Sequence, residues 1–413
     1  MRKYLFFLMA IAVFAGCEKS PHSPKPKERK DIVLTKSQKE VFSKGNTFAF
    51  NLLKEVYPRD TKQEVFISPF SMSCALSMLS NGASGKTFSE IAKALGYENS
   101  SVEDINSAYN AVLAALRDVD NTSVFAISNG LWLNSGIGFS VLPTFASALK
   151  NNYDAPAESL DFSLTETLKR INGWAAEKTN QMIPEFFEEL DPSWAFILAN
   201  ALYFKGIWTT KFPKSGTKPM PFHSLGGKDI AKDFMTAELP CKLGYSTELS
   251  AKMCELPFGN KAFVFDILLP DENVDFDAFV AGLDAEKWNS AISKLSSQED
   301  LSVSIPKMDL NFTAERNILI PALQSLGIVS AFNASADFSA MSNIAVFIDS
   351  VIQKTRFRMD EDGAEAAAVT VITGRNLASG EPFIADRPFV YAIREISTNT
   401  ILFLGAYRGL CTA

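Results

Sequence analysis

The sequence predicts an α+β protein with one main domain, residues 36–413, behind an export signal (residues 1–16) and a short tether (residues 17–35). Three observations lead there. Helix-period patterns dominate the first part of the chain. Near-continuous apolar runs recur from Val124 to the C-terminus. From Ser37 onward there is no second linker, internal repeat or low-complexity block. With 413 residues, 47% of them hydrophobic, and 33 Phe, the chain can fill a large interior.

The elements follow in order. "MRKYLFFLMAIAVFAGC" opens with Arg2 and Lys3, continues with an apolar run from Tyr4 to Phe14, and ends Ala15-Gly16-Cys17. That is a secretory signal, too short for a comfortable membrane span. Residues 18–34 are rich in Pro, Ser and Lys and read as a solvated tether, with Lys25, Lys27, Arg29 and Lys30 as its solvated charges. "SQKE" offers a capping box, Ser37 with Glu40, and Val41, Phe48, Leu52 and Val56 follow at helical spacing. A second helix is expected near Leu168–Met182, with Ile171, Trp174, Ala175 and Met182 on one side. Val124–Leu133 and Ala195–Gly206 suit central strands covered on both faces. Ala262–Glu272 ends in a Pro-Asp turn signal, and Pro388–Gly409 reads as two strands joined by "STNT".

Composition narrows the function. A net charge of −7 and a pI near 5.2 lack the basic footprint of a nucleic-acid binder. His22 falls in the tether, so a Ser-His-Asp hydrolase would depend on His223. No metal-ligand spacing and no nucleophile elbow are present. Of the five cysteines, Cys74, Cys241, Cys254 and Cys411 read as buried apolar residues and Cys17 as the exception. No metal, cofactor or catalytic residue is expected.

One segment changes character partway through. In "DEDGAEAAAVTVITG", Ala364–Ala368 favours helix, while Val369–Thr373 favours strand. Laid out as a strand, one face carries Ala364, Ala366, Ala368, Thr370 and Ile372. The other carries Glu365, Ala367, Val369, Val371 and Thr373. All charge falls on the second face. Gly363 permits a bend, and no Pro occurs between Gly363 and Leu377.

Six motifs then carry a resemblance. "FISPFSMSCALSML" has Ser68, Pro69 and Ser71 in place, and "ANALYFKGIWTTKF" has Asn200, Phe204, Lys205, Gly206, Trp208 and Phe212. "IPKMDL", "LQSLGIVSAFNASADFS" and "FIADRPFVYAIR" follow in order, and "EDGAEAAA" lies between the last two. Over residues 46–409 the chain resembles the serpin family. The resemblance implies three β-sheets, about nine helices, an exposed reactive-centre loop near residues 361–384 and a metastable native state. It implies suicide inhibition of serine proteases in a covalent 1:1 complex, by a monomer. The protease cleaves the loop, is held as an acyl-enzyme, and is distorted when the loop inserts into the central sheet. The alternative is a non-inhibitory relative acting as a binding protein or chaperone; the small-residue hinge argues against it.

The family pattern places the loop hinge at Glu361, Gly363, Ala364, Glu365, Ala366, Ala367, Ala368 and Thr370. It puts the scissile bond fourteen residues after Gly363, at Leu377–Ala378, eleven residues before Pro388. Leu377 suits chymotrypsin-, elastase- or subtilisin-like enzymes; Arg375 is the alternative, for trypsin-like ones. Ser68, Ser71 and Asn200 match a polar cluster controlling sheet opening, with Gln353 where the family usually has His. Gln can donate and accept but does not titrate. The region "SVEDINSAYNAVLAALRDVDN" holds Arg117 as its one basic residue, so no heparin cofactor is expected. The N-terminus resembles a bacterial lipoprotein signal, although Phe14 replaces the usual Leu. This implies lipidation at Cys17 and a protein hung from the outer membrane or cell surface.

Overall fold

A computed structural model describes residues 26–364 and 381–410. Helices cluster early, as the spacing predicts, with two corrections. The capping box is Thr35 with Gln38, which begins the helix two residues earlier than Ser37 with Glu40 would. The helix also breaks at Ser43–Lys44 into Lys36–Phe42 and Gly45–Val56; Val41, Phe48, Leu52 and Val56 are nevertheless all buried. The helix expected at Leu168–Met182 runs Thr165–Lys178, with Ile171 and Ala175 buried. Pro69–Ser80 is buried all round, capped by Ser68 with Pro69 in its first turn.

The expected tether does not hang free to residue 35. The Lys27 N–H donates to Asn121 Oδ1 at 2.8 Å and the Ile32 N–H to Ser397 Oγ at 2.9 Å, and Leu34 is buried in the core. Two hydrogen bonds and one buried leucine, Leu34, lay this otherwise polar strap onto the body.

Strand pairing makes two hydrogen-bonded sheets among the described residues. The first has six strands, in the order Met308–Ala314, Ser350–Asp360, Gly363–Ala364, Phe196–Ile207, Val124–Asn134 and Ala157–Leu160. The second has nine and bends where the strand Asp229–Ser246 shifts register between Leu239 and Cys241. Pro240 stands at that shift. The resemblance implies three sheets; hydrogen bonding joins the described strands into two. Phe389–Glu395 and Thr400–Tyr407 form the hairpin expected near the C-terminus, with Asn399 left-handed at its turn.

The six-stranded sheet is covered on both faces. From Phe196–Ile207, Leu198, Leu202 and Phe204 point into the main core, while Ile197, Ala199 and Ala201 pack on the other side with Trp132, Phe162, Ile171 and Phe186. This is why the strand reads as a nearly continuous apolar run, broken at Asn200 and Lys205. Cys74, Cys241 and Cys254 are unbridged and buried, as the cysteine spacing suggests.

Candidate functional site

The strands Ser350–Asp360 and Phe196–Ile207 pair in parallel from Ser350 opposite Ile197 to Arg356 opposite Tyr203. Beyond that they part, and Gly363–Ala364 fills the gap, bonded to Asp360 and Met359 on one side and to Ile207 and Gly206 on the other. The site therefore has two parts: the seam between the parallel strands and the hinge at its open end.

At the seam, Gln353 stands directly opposite Asn200. Gln353 Nε2 donates to Asn200 Oδ1 at 2.9 Å and to the Ser68 carbonyl at 3.0 Å, while its Oε1 accepts from the Ser68 N–H at 2.9 Å. Asn200 Nδ2 donates to Ser71 Oγ and to Asn129 Oδ1. Ser68 Oγ donates to the Leu402 carbonyl at 2.6 Å and accepts from the Ser71 N–H. The four residues expected to form a polar cluster do meet, at 0–1% exposure. Parting the strands at mid-seam breaks the Gln353–Asn200 bond, and a buried group left unpaired costs about 1–3 kcal/mol.

Sequence reasoning missed Asn129. It lies opposite Asn200 in the neighbouring strand, and its Nδ2 donates to Cys74 Sγ at 3.3 Å. A signal for it exists: an Asn in the middle of "VFAISNGLWL" breaks an otherwise apolar run, and a buried amide must find partners.

At the hinge, Asp360, Glu361 and Asp362 are each fixed. Trp208 Nε1 donates to the Asp360 carbonyl at 2.9 Å, the Phe212 N–H to the Glu361 carbonyl at 3.0 Å, and the Trp208 N–H to the Asp362 carbonyl at 3.1 Å. Asp362 pairs with Lys211 at 2.8 Å. Glu361 accepts from Thr217 Oγ1 at 2.6 Å and from Lys307 Nζ at 3.0 Å. Burial works against the Glu361 charge, but the bonds from Thr217 and Lys307 outweigh it and hold the carboxyl below the usual range. Gly363 has φ 134°, and a Cβ there would lie 2.2 Å from the Gly206 carbonyl oxygen, so only glycine fits.

The chain re-enters the fold as firmly. Phe383–Ile384 pairs in parallel with Val303–Ser304, and the Ala385 N–H donates to the Ser304 carbonyl at 2.9 Å. Glu365, Ala366, Ala367, Ala368, Thr370, Arg375, Leu377 and Ala378 lie outside the described residues, as do Cys17 and Cys411. His223 bonds Asp229 at 2.7 Å on the surface, but the adjacent Ser224 Oγ donates to the Lys228 carbonyl rather than to the ring. That is no hydrolase arrangement.

Known proteins agree with this geometry. A family model described as Serpin (serine protease inhibitor) matches residues 43–409. Serpin B8 of Homo sapiens is 34% identical over 372 residues, covering 88% of this chain and 97% of that protein. The leukocyte elastase inhibitor of Sus scrofa is 31% identical over 381 residues, covering 89% and 98%. The native structure of the thermophilic serpin tengpin superposes with a TM-score of 0.82 at 28% identity, covering 94% and 98%. This chain therefore belongs to the serpin family, which is described as serine protease inhibitors and not as catalysts.

Proposed function

We propose that this serpin is a suicide-substrate inhibitor of serine endopeptidases, cut at Leu377–Ala378. The observation that carries the reading is the hinge strand, Gly363–Ala364, already bonded between the two strands that insertion must part. Insertion in the same register would set Glu365 opposite Lys205 on one side and Arg358 on the other, offering its charge two cations. The same register would bring an inserted Thr370 between Asn200 and Gln353, at the seam cluster. In the inserted state, Ala366, Ala368 and Thr370 would share the face of Leu198, Leu202 and Phe204, above the main core. Small residues suit that face, and a threonine hydroxyl can take up the bonds that Gln353 and Asn200 release.

The chemistry begins with the protease. Its serine oxygen attacks the Leu377 carbonyl carbon, the Leu377–Ala378 amide bond breaks, and the Ala378 amine leaves. Loop insertion then carries the ester-linked protease away before water reaches it. Chymotrypsin-, elastase- and subtilisin-like enzymes are the targets in this reading, and the elastase inhibitor among the relatives is consistent with it. An Arg375 cut would turn the target toward trypsin-like enzymes.

Mixing the protein with chymotrypsin, elastase and trypsin, followed by a denaturing gel, tests the reading. A boiling-resistant band at the summed mass and a new N-terminus at Ala378 are expected. A new N-terminus at Asn376 moves the cut to Arg375. Cleavage by every protease class without any complex overturns inhibition.

The second proposal is anchorage by acylation of Cys17 at the outer membrane or cell surface, supported by the signal pattern and by the strap that follows it. Metabolic labelling with palmitate is expected to mark the wild-type protein and not Cys17→Ser; equal labelling of both overturns it.

A further inference from the structure

A cavity of about 500 Å³ lies away from the seam and the hinge, between the end of the helix Gly45–Val56, the helix Phe276–Gly282 and the last residues, Arg408–Leu410. Its wall is mostly apolar: Pro58, Leu225, Val280 and Leu410 line it, and Leu225 is exposed. Against this wall stand two cations. Lys54 lines the cavity and makes no ion pair among the described residues. Arg408 is 3% exposed, with its guanidinium 5.0 Å above the Tyr57 ring.

Arg408 is an unusual wall residue. Its Nη2 donates to the carbonyls of Asp60 and Gln63, but its Nε has no hydrogen-bond partner. Buried donors without a partner are rare enough to need a reason. The one carboxylate in the wall, Asp277, already accepts from Tyr57 Oη at 2.6 Å. The buried Glu64 takes the backbone N–H groups of Arg408 and Leu410 instead of the guanidinium. In the wall two cations stand against one carboxylate, already engaged by Tyr57, while the buried Glu64 behind it also acts on the Arg408 charge; the apolar surface beside them is one that water covers poorly.

We propose that this cavity binds a small amphipathic monoanion, a carboxylate on an apolar body, with the head near Lys54 and Arg408 and the body against Pro58, Leu225, Val280 and Leu410. Size and lining are those of a small-molecule site: concave, mainly apolar, with a few polar groups to set orientation. The site is independent of the loop, and nothing in inhibition requires it.

Calorimetric titration of the intact protein with decanoate, and separately with decan-1-ol, tests it. Decanoate is expected to saturate one site and to bind about tenfold or more tightly than the alcohol. Lys54→Glu weakens decanoate by about tenfold and leaves the alcohol unchanged. Ala281→Trp, at an exposed wall position, closes the cavity to both. Leu225→Asp on the opposite wall repeats that loss should Ala281→Trp fail to fold. No saturable decanoate binding overturns the proposal. So does equal affinity for acid and alcohol, or undiminished binding when the cavity is filled.

Discussion

At mid-seam the six-stranded sheet is closed by neutral side chains, Gln353 on Asn200, both essentially unexposed. At its open end it is held by ions, Glu361 on Lys307 and Asp362 on Lys211, with Lys307 about one-third exposed. The difference sets what each region responds to. Neutral amides in a dry interior are indifferent to salt and pH, and costly to leave unpaired. Partly exposed ion pairs are screened by salt, follow pH and contribute little each. A sheet that must stay shut until its loop is cut is better locked by the first kind. A hinge that must release quickly is better held by the second.

The sharpest test of the division is Thr370→Arg. On the proposed insertion register that side chain would enter the seam cluster, where an unpaired charge costs several kcal/mol. Cleavage should persist while the covalent complex, read on denaturing gels, falls by about tenfold or more. Undiminished complex would mean that the loop does not enter in this register. Next in size is Asn200→Ala, which strips partners from Gln353, Ser71 and Asn129 together. Stability should fall by about 3 kcal/mol in urea unfolding, with faster loss of inhibitory capacity on warming. A loss under about 1 kcal/mol would show the seam to be held by packing alone.

Gln353→His turns the neutral lock into one that titrates. A buried imidazole must be neutral to accept and donate here, so its unfolded-state value of about 6.5 marks where the variant begins to lose stability relative to wild type as pH falls. Unfolding midpoints of both proteins between pH 5 and 8 would show it; parallel curves would refute it. Glu361→Gln should have the smallest effect, below about 1 kcal/mol in low salt and less at high salt. The carboxyl is held below its ordinary value, so the tie is fully present above about pH 4.3 and is lost as pH falls toward the lower folded value. Salt-insensitive destabilisation by this variant would put the hinge in the same class as the seam.

Much of this architecture is legible in the sequence. "VFAISNGLWL" and "AFILANALYFKG" read as strands covered on both faces because apolar residues fall on both sides of each, broken only by a few polar or small residues such as Asn129, Asn200 and Lys205. The segment's first two residues, Gly363 and Ala364, pair as a strand between Met359–Asp360 and Gly206–Ile207. The capping box falls at Thr35 rather than Ser37 because the two residues carry the same kind of signal, and only packing selects between them. The tether is shorter than its composition suggests because composition averages over Leu34, one apolar residue with a pocket to fill.

What the sequence alone determined is therefore local and periodic: which segments are strands, which face of each is apolar, where the glycine hinge must bend, and the family to which these motifs belong. What only the tertiary structure decided is partnership across distance. Ser68 lies 285 residues from Gln353 along the chain and bonds its side chain directly. Asn129 joins the same network from a strand where nothing marked its partner. Lys211 and Lys307 become hinge restraints, and Lys54 and Arg408 come to share one cavity. Periodicity follows from backbone geometry, which each short segment carries in itself. A buried polar group's partner depends on which strands the fold brings side by side, and no segment holds that information alone.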